Sequence, residues 1–507
     1  AIEMSSPAPK RALVIGAGIA GLASAVRLAA QGWKVIVYES AAEPGGKLRE
    51  AFQDGFRFDL GPSLFTMPEL VVKLHDVAAR SPVVDPRKMP PPFAFEKLDR
   101  STHYFWEDGV QLTAWADRTS FRNEVQSKLN IDGQLVEDHL NHSQQIFEAT
   151  RRIFMEQSLH ERPKNRLSDL KKAGRNLFRL PFLGSLHRLN RKRLREPHLV
   201  QLFDRYATYN GSDPYRAPAM MHIIPHLEHG IGTFFPKGGM AAITQHVVNL
   251  CLALGVEFHF NQPVKRIAHI KGKVQGVKLE TASGGERVLG DVVISNADIH
   301  PTYRQLLPDL TPPEKTLSQE RSTSGVVFYW GIRGTHAPLH LHNILFSKDY
   351  RREFDNIREK GHPGDDPTVY INITSKLQSS DAPAGCENWF VMINVGARPD
   401  EIEALIPSLR ETVLKKIERT LGVNIKSLIA NETILTPRGI EAQTSSWQGA
   451  LYGASSNSPM AAFLRHRNRS TQLEGLYFCG GSVHPGGGIP LCLLSAHITS
   501  DLIEQFS

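Results

Sequence analysis

Apolar positions near the start of the chain follow two different periods. Arg11–Ile15 and Lys34–Tyr38 are short, almost continuous apolar runs, typical of buried strands, whereas Leu22–Gln31 has apolar residues along one side of a helix. The order strand, helix, strand predicts a βαβ unit, the building block of a parallel sheet that is covered by helices.

The same periods return in the middle of the chain. A predicted helix with an apolar face from Ile243 to Leu254 ends at Gly255, which fits a C-terminal cap. The strands predicted after it are 256–260, 264–267, 274–280 and 291–298. This β-rich part predicts a return to the domain that begins at residue 11. A different pattern, with mixed strands and a long helix, is predicted at 301–330, 388–395 and 400–421.

Three glycines follow the first strand in the spacing of a dinucleotide-binding turn. Gly16 allows a tight turn, Gly18 lets a diphosphate approach the backbone, and Gly21 lets helix and strand pack closely. The N-terminus of the following helix then offers free N–H groups to the phosphates. The second strand ends in Glu39, an acid that is placed to bind a ribose and would repel a 2′-phosphate, which disfavours NADP.

A second glycine pair, Gly45–Gly46, follows this acid closely. It is either an ordinary turn after Pro44 or a place where a diphosphate passes, and the second interpretation favours FAD over NAD. Near the other end of the sequence, Gly480–Pro490 is another glycine-rich turn between a predicted strand and a predicted helix. A helix that starts near Pro490 would direct its N-terminal dipole at a flavin ring. Together the two ends predict one bound FAD.

Composition narrows the class of protein. The chain has 507 residues, 41% of them hydrophobic, which predicts a globular protein of two to three domains. No apolar stretch is long enough for a transmembrane helix, and no signal peptide is evident. The four cysteines have no CxxC spacing and read as reduced side chains, so we expect a cytoplasmic protein.

Positive charge is concentrated in one segment. Residues 151–195 contain fourteen Lys or Arg residues against three acidic ones, a net charge of +11, while the whole chain carries +7. Within it, apolar residues of 177–186 alternate with Arg175, Arg179 and Arg188, and 191–195 is a basic run. This pattern favours peripheral docking on an anionic membrane, with a solvated helix face as the alternative. Nucleic acid is disfavoured because there is little aromatic interleaving.

The motifs, taken in order, resemble those of the bacterial-type carotenoid desaturases, the group that includes phytoene desaturases and 1-hydroxycarotenoid 3,4-desaturases. The resemblance runs from Arg11 to Ile503, and it rests on VIGAGIAGL, VIVYES, EPGGKLRE, FRFDLGPS, FFPKGGM, DVVISNAD and LYFCGGSVHPGGGIPLCLLSA. The wording of the last motif is more similar to the branch that acts on hydroxylated acyclic carotenoids than to phytoene desaturases.

The resemblance implies FAD contacts at matching positions. They are Gly16, Ala17, Gly18, Gly21, Glu39, Ser40, Gly45, Gly46, Lys47, Gly61, Pro62, Ser63, Val264, Asn296, Gly480, Gly481, Ile489, Pro490 and Leu491. It also implies an α/β fold: a discontinuous Rossmann-like FAD-binding domain, a mixed-sheet substrate domain and a helical, basic, membrane-facing subdomain. The expected ranges are 10–75 with 232–300 and 465–507, then 76–110 with 301–464, and 111–231.

The implied reaction is the FAD-dependent 3,4-desaturation of a 1-hydroxycarotenoid, with a quinone or oxygen as the final electron acceptor. Phytoene desaturation is the nearest alternative, and a flavin amine oxidase with Trp447 and Tyr452 in an aromatic cage, or a non-enzymatic isoprenoid escort, is a more distant one. Glu228 and His484 are the candidate catalytic residues, each with a structural role as its alternative. No metal site is predicted, because Pro225 interrupts the histidine pattern of His222–His229.

Overall fold

The computed structural model describes residues 9–161, 184–281, 284–458, 461 and 465–507. Residues 162–183, which include Arg175, Arg179 and the apolar positions 177–183 of the basic segment, lie outside the described residues. The strands are β1 Arg11–Ile15, β2 Lys34–Tyr38, β3 Glu50–Gln53, β4 Phe56–Asp59, β5 Phe95–Lys97, β6 Arg100–Phe105, β7 Gln111–Trp115, β8 Phe234–Pro236, β9 Glu257–His259, β10 Val264–Ile270, β11 Lys273–Thr281, β12 Gly284–Leu289, β13 Val292–Ser295, β14 Ser324–Arg333, β15 His342–Leu345, β16 Val369–Asn372, β17 Cys386–Val395, β18 Ile429–Leu435 and β19 Leu476–Phe478.

Helices of two turns or more connect and cover these strands. They are α1 Ile19–Ala30, α2 Glu69–Ala79, α3 Arg118–Leu129, α4 Gln134–Thr150, α5 Leu186–Leu194, α6 Pro197–Asp204, α7 Ala241–Ala253, α8 Tyr350–Lys360, α9 Pro399–Leu421, α10 Pro437–Thr444 and α11 Ile489–Phe506. Shorter helical turns include Arg151–Met155, Arg205–Asn210, Ala219–Ile223, His226–Ile231, Ile299–Pro301, Thr302–Leu306 and Glu314–Leu317.

A five-stranded parallel sheet has the order β19-β13-β1-β2-β9. Its strands read as continuous apolar runs because both faces are covered. Helices α1, α2, α7 and α11 share one apolar core, and the three-stranded sheet β10-β11-β12 packs in a second core on Leu13 and Ile15 of β1. The predicted return of the chain to this domain is confirmed, since β9, β13 and β19 join strands from its start.

A seven-stranded mixed sheet has the order β18-β14-β17-β16-β15-β6-β7. Trp389, Val391 and Ile393 of β17 belong to the core that this sheet forms with Ile402 and Val413 of α9. The alternate residues of β17 are on the opposite face, because successive side chains of a strand point to opposite sides. One face of this sheet is therefore covered by a helix and the other is available for a cavity.

The structure differs from the sequence-based expectations at two boundaries. Helix α1 begins at Ile19 rather than Leu22, because Gly18 has extended backbone angles and is the N-cap, so Gly21 lies inside the first turn. Strand β7 pairs with β6, so the mixed sheet continues past residue 110, where a helical subdomain was expected to start. The expected domain limits otherwise stay a prediction.

The α/β class is as expected, and the helical part of 111–231 packs on β6 through a core of its own that includes Phe121, Leu199 and Phe203. Within the part of the chain that the structure describes, no helix is both long and apolar enough to cross a membrane. Cys251, Cys386, Cys479 and Cys492 are all unpaired, as their spacing indicates.

A buried ion cluster links β4 to the loop before β17. Arg57 of β4 is 5% exposed and contacts Asp59 and Asp381 at 2.9 Å each, with Glu50 at 2.8 Å. Asp59 also accepts hydrogen bonds from the N–H groups of Met240 and Ala241, where α7 begins. These neighbours hold the pKa of the guanidinium above its ordinary value, so one permanent cation ties β4 to the loop before β17.

Arg57→Met should strongly destabilise the protein, because it leaves Asp59 and Asp381 buried without their cation. We expect the free energy of unfolding to fall by about 3–5 kcal/mol, measured by urea unfolding of the FAD-loaded protein. The matched control is Arg304→Met, which removes a bidentate but solvent-exposed pair with Glu314 and should leave the midpoint nearly unchanged. Equal midpoints for the two variants would contradict the role given to Arg57.

Candidate active site

A cavity of about 720 Å³ lies between the two larger sheets. On one side it is lined by residues at or just after the carboxyl ends of β1, β2, β13 and β19, and on the other by β14, β15, β16 and β17. In open parallel sheets, ligands bind in the crevice at the carboxyl ends of the strands. The position of the cavity is therefore that of a dinucleotide site that opens onto a second sheet.

The first glycine-rich turn forms one wall of this cavity. Gly16 has a φ of +95°, which favours glycine, and it lines the cavity together with Gly18. A Cβ atom at Gly18 would lie 2.6 Å from the side-chain nitrogen of Asn296. A Cβ atom at Gly21 would lie 2.2 Å from the carbonyl oxygen of Gly16, as expected for close packing of helix and turn.

Two of the expected FAD contacts are not in the wall of this cavity. Neither Ala17 nor Gly21 is among the described residues that line the cavity. Ala17 is fully buried in the apolar core, and its N–H group is used by Glu39. The remaining seventeen expected FAD contacts all line the one cavity.

The second glycine pair packs directly on the first turn. The N–H group of Gly45 donates to the carbonyl of Ala17 at 2.8 Å, and a Cβ atom at Gly46 would lie 3.5 Å from the Cα atom of Gly18. Gly45 and Gly46 have φ values of +117° and +58°. The two turns thus form one backbone surface without side chains, as a diphosphate requires for close approach.

Glu39 is fixed at the end of β2. Its carboxylate accepts hydrogen bonds from the N–H groups of Ala17 at 2.7 Å and Ala41 at 2.8 Å, and from the hydroxyl group of Ser40 at 3.3 Å. Val264 lines the same cavity. An acid held in this way can accept from ribose hydroxyl groups, as the sequence indicates.

Lys47 and Gly61 also line this cavity. The ammonium group of Lys47 donates to the carbonyl of Leu451 at 2.9 Å, and burial lowers its pKa. A Cβ atom at Gly61 would lie 1.9 Å from the carbonyl of Lys47, so only glycine fits there. Lys47 therefore fixes the loop at 450–451 in addition to lining the cavity with Gly61, Pro62 and Ser63.

The C-terminal turn lines the same cavity from the carboxyl end of β19. Gly488 caps α11 with a φ of +99°, and Ile489, Pro490 and Leu491 of its first turn line the cavity, as do Gly480 and Gly481. The free N–H groups of this helix start offer a partial positive charge.

Asn296 connects the two glycine-rich ends. A Cβ atom at Gly480 would lie 2.9 Å from its Oδ1 atom, while Gly18 faces its Nδ2 atom. The sulfhydryl group of Cys479 lies 3.8 Å from the same Oδ1 atom. One amide thus fills the space that the missing side chains of both turns leave.

The two candidate catalytic residues do not line the cavity. His484 is buried, its Nε2 atom is hydrogen-bonded to the carbonyl of Gln157 at 2.8 Å, and burial lowers its pKa to about 4. Its ring thus holds the turn against the segment around Gln157, so we assign it a structural role. Glu228 is also buried, and it accepts from Ser101 at 2.9 Å and from the phenol of Tyr209 at 2.8 Å.

Tyr209 lines the cavity, so Glu228 is connected to it through this phenol. Burial raises the pKa of Glu228 and raises that of Tyr209 well above its ordinary value, so the phenol stays protonated near neutral pH. Glu228 therefore positions Tyr209 and does not itself contact a molecule in the cavity.

The wall opposite the glycine turns is mostly apolar, and sequence reasoning missed it. Side chains from alternate positions of the mixed sheet line it, together with residues of the helical turns at 219–231. The principal members are Val327, His342, Ile344, Tyr370, Phe390, Met392, Asn394, Met220, Met221, Ile223, Ile224 and Leu227. Strand β17 is apolar on both faces, so its pattern alone gave no signal of which face lines a cavity.

Trp447 and the histidines of the segment His222–His229 are not among the described residues that line the cavity. Trp447 stacks on His300 at 3.8 Å between ring centroids and does not line the described wall, whereas Tyr452 does. The segment His222–His229 is divided into two short helical turns, and no group of three or more potential metal ligands is found among the described residues.

Comparison with known proteins identifies the family. A model of the flavin-containing amine oxidoreductases matches residues 19–503. The chain belongs to this family. It is 47% identical to a 1-hydroxycarotenoid 3,4-desaturase of a Flavobacterium species (strain P99-3), over 98% of this chain and 99% of the relative. It is 31% identical to a 4,4'-diapolycopene oxygenase of a Methylomonas species, over 99% of each chain.

Two solved structures share the fold of this chain. An oxidoreductase from Methanosarcina mazei has a TM-score of 0.63 at 17% identity, with 98% of this chain and 100% of that chain covered. Cyclohexylamine oxidase from Brevibacterium oxydans has a TM-score of 0.62 at 13% identity, with 98% and 99% covered. These likenesses show the fold.

The protein is an FAD-dependent oxidoreductase of this family. The residues present fit the cofactor: a surface of glycine backbone lies beside the N-terminus of α1, a fixed carboxylate lies at the end of β2, and the N-terminus of α11 lines the same cavity. This fit, and the family, exclude the escort interpretation that the sequence left open.

Gly18→Val should weaken FAD binding, because its branched side chain would collide with Asn296 and extend over the glycine surface. We expect the affinity for FAD to fall about tenfold or more, measured from the flavin absorbance that remains with the protein after gel filtration. Gly285→Ala on β12 is the control, since a Cβ atom there meets only the carbonyl of Leu279 at 3.6 Å. Full FAD retention by Gly18→Val would disprove the assignment.

Proposed function

We propose that the protein desaturates an acyclic carotenoid, and that it introduces the 3,4 double bond of a 1-hydroxycarotenoid. The observation that carries this proposal is 47% identity over almost the full length to a 1-hydroxycarotenoid 3,4-desaturase. The cavity supports it, because a largely apolar wall from the mixed sheet continues from the proposed FAD site. A long hydrocarbon needs such a wall for its burial.

The reaction removes two hydrogens from neighbouring carbons. One leaves with its electron pair as a hydride, the other leaves as a proton, and the electron pair of its C–H bond becomes the new double bond. A bound flavin supplies the oxidant that takes up the hydride. The chain supplies the position of the hydrocarbon and excludes water from the reacting carbons.

We propose the following FAD contacts from the cavity wall. The diphosphate lies on Gly16, Gly18, Gly45 and Gly46, the adenosine part lies at Glu39, Ser40 and Val264, and the ring lies between Gly61–Ser63 and the first turn of α11. Asn296 and Lys47 support the two glycine-rich ends. Glu228 is a positioning residue in this scheme, because it holds the phenol of Tyr209 at the substrate wall.

An amine oxidase activity is not supported by the site. Only Tyr452 of the two expected cage residues lines the cavity, since Trp447 is stacked on His300. The opposite wall offers methionine and aliphatic side chains, which suit a hydrocarbon better than a polar amine.

The purified, FAD-loaded enzyme should desaturate a 1-hydroxylated acyclic carotenoid. We expect its absorption to shift to longer wavelength and its mass to fall by two hydrogens. Phytoene, supplied separately under the same conditions, should show no such shift. A product that gains oxygen would instead indicate an activity like that named for the Methylomonas relative, and amine-dependent peroxide release without any change in the carotenoid would disprove the proposal.

We further propose that the enzyme docks on a membrane surface, where a quinone or dissolved oxygen reoxidises the flavin. Support comes from α5 and its end, where Arg188, Arg191, Lys192 and Arg195 are exposed. Leu186 and Leu194 of the same helix are buried, and Arg193 donates to the carbonyl of Asp138. The described part of the basic segment therefore offers charge rather than apolar side chains.

Neutralising the four exposed cations of this helix to glutamine should weaken membrane binding. We expect about tenfold or more loss of affinity for anionic vesicles, since each cation near such a surface contributes about 1 kcal/mol. The control variant replaces four exposed cations of the three-stranded sheet and its first turn with glutamine: Lys271, Lys273, Lys278 and Arg287. Equal flotation of both variants with vesicles would reject the docking site.

A further inference from the structure

A chain of hydrogen bonds runs from the proposed flavin wall to the substrate wall. Ser63 lies next to Gly61 and Pro62, and its hydroxyl group is 2.8 Å from the phenol oxygen of Tyr370. That phenol oxygen is 2.7 Å from the Nδ1 atom of His342. Ser63, Tyr370 and His342 all line the cavity, on a wall that is otherwise mainly apolar.

This chain determines which nitrogen of His342 carries the hydrogen. Burial lowers the pKa of His342 to about 3, so the imidazole is neutral and has one N–H group. The side-chain amide of Asn372 can donate only to an unprotonated Nδ1 atom, at 3.3 Å, and the Tyr370 phenol then donates there as well. The hydrogen is therefore on the Nε2 atom.

The Nε2–H group of His342 is an unused donor. His342 is 2% exposed, and no acceptor for its Nε2 atom is found within the described ranges. A buried donor without a partner is costly, and its presence on the wall of a ligand cavity indicates that a ligand supplies the acceptor.

We propose that His342 selects the hydroxylated substrate by donating a hydrogen bond from Nε2 to the oxygen of its 1-hydroxyl group. This inference rests on the proposed function, because it names how that substrate is recognised. The hydroxyl-bearing carbon is two bonds from C3, so the group that binds the hydroxyl must lie close to the flavin. The connection of His342 to Ser63 through Tyr370 satisfies this condition.

A second unused donor in the cavity has different chemistry. The Nε atom of Arg205 lacks a partner among the described residues, while another nitrogen of the same guanidinium donates to Asn394 at 3.2 Å. This group is a permanent cation, which suits an anionic acceptor better than an alcohol. We therefore assign the neutral hydroxyl to His342.

The test compares two acyclic carotenoids that differ only in the 1-hydroxyl group. In the wild type, kcat/KM should be higher for the hydroxylated carotenoid, because a substrate without the 1-hydroxyl group leaves the Nε2–H donor of His342 unpaired. His342→Phe keeps a ring but has no donor, and the ratio of the two kcat/KM values should fall about tenfold to a hundredfold. Met392→Leu, on the same wall, should change both kcat/KM values by the same factor.

Tyr370→Phe is the second variant, because it removes a hydrogen-bond partner of the His342 Nδ1 atom and leaves the Nε2 atom unchanged. The ratio of the two kcat/KM values should fall less in this variant than in His342→Phe. Each variant is compared at wild-type FAD content, and the affinity for both carotenoids is also measured by quenching of flavin fluorescence. An unchanged ratio in His342→Phe overturns the inference. Asn394→Leu removes the cavity-lining partner of Arg205, and a loss of discrimination found only in this variant also overturns it. If the wild type desaturates neither carotenoid, the proposed function itself has failed.

Discussion

The close approach of two glycine-rich turns around one amide is the constraint on which the site depends. The missing side chains at Gly18 and Gly480 leave the space that Asn296 fills, and Gly46 lies against Gly18 from the other side. A side chain at Gly18 or Gly480 would collide with Asn296, which lies between the two ends of the chain. The FAD site is therefore shaped mainly by backbone, and its wall also carries charged side chains such as those of Glu39 and Lys47.

The two larger sheets have different tasks because their faces are covered differently. The parallel sheet is buried on both faces and presents only the ends of its strands, where a dinucleotide can lie. The mixed sheet is covered by α9 on one face and presents the other to the cavity. Arg57 holds β4 to the loop before β17, so this buried ion cluster is one of the contacts that fix the cofactor wall relative to the substrate wall.

The sequence predicted the cofactor side much better than the substrate side. Glycine spacing, continuous apolar strands and a terminal acid occur together in one order, and this combination predicted β1, α1, β2 and the turn before α11. The substrate wall could not be found in this way, because Phe390 and Met392 are as apolar as Trp389 and Val391 on the covered face. His484 shows a further limit: its place in a cofactor turn was evident, but not that its ring faces Gln157.

We propose that flavin and carotenoid would meet in one cavity and that hydride would pass directly from the carotenoid to the flavin. Rapid mixing of the FAD-loaded enzyme with a 1-hydroxycarotenoid in the absence of oxygen and quinone measures whether the two changes occur together. We expect flavin absorbance to fall at the same rate as the longer chromophore appears, with one flavin reduced for each double bond. Formation of the longer chromophore while the flavin stays oxidised would disprove direct transfer.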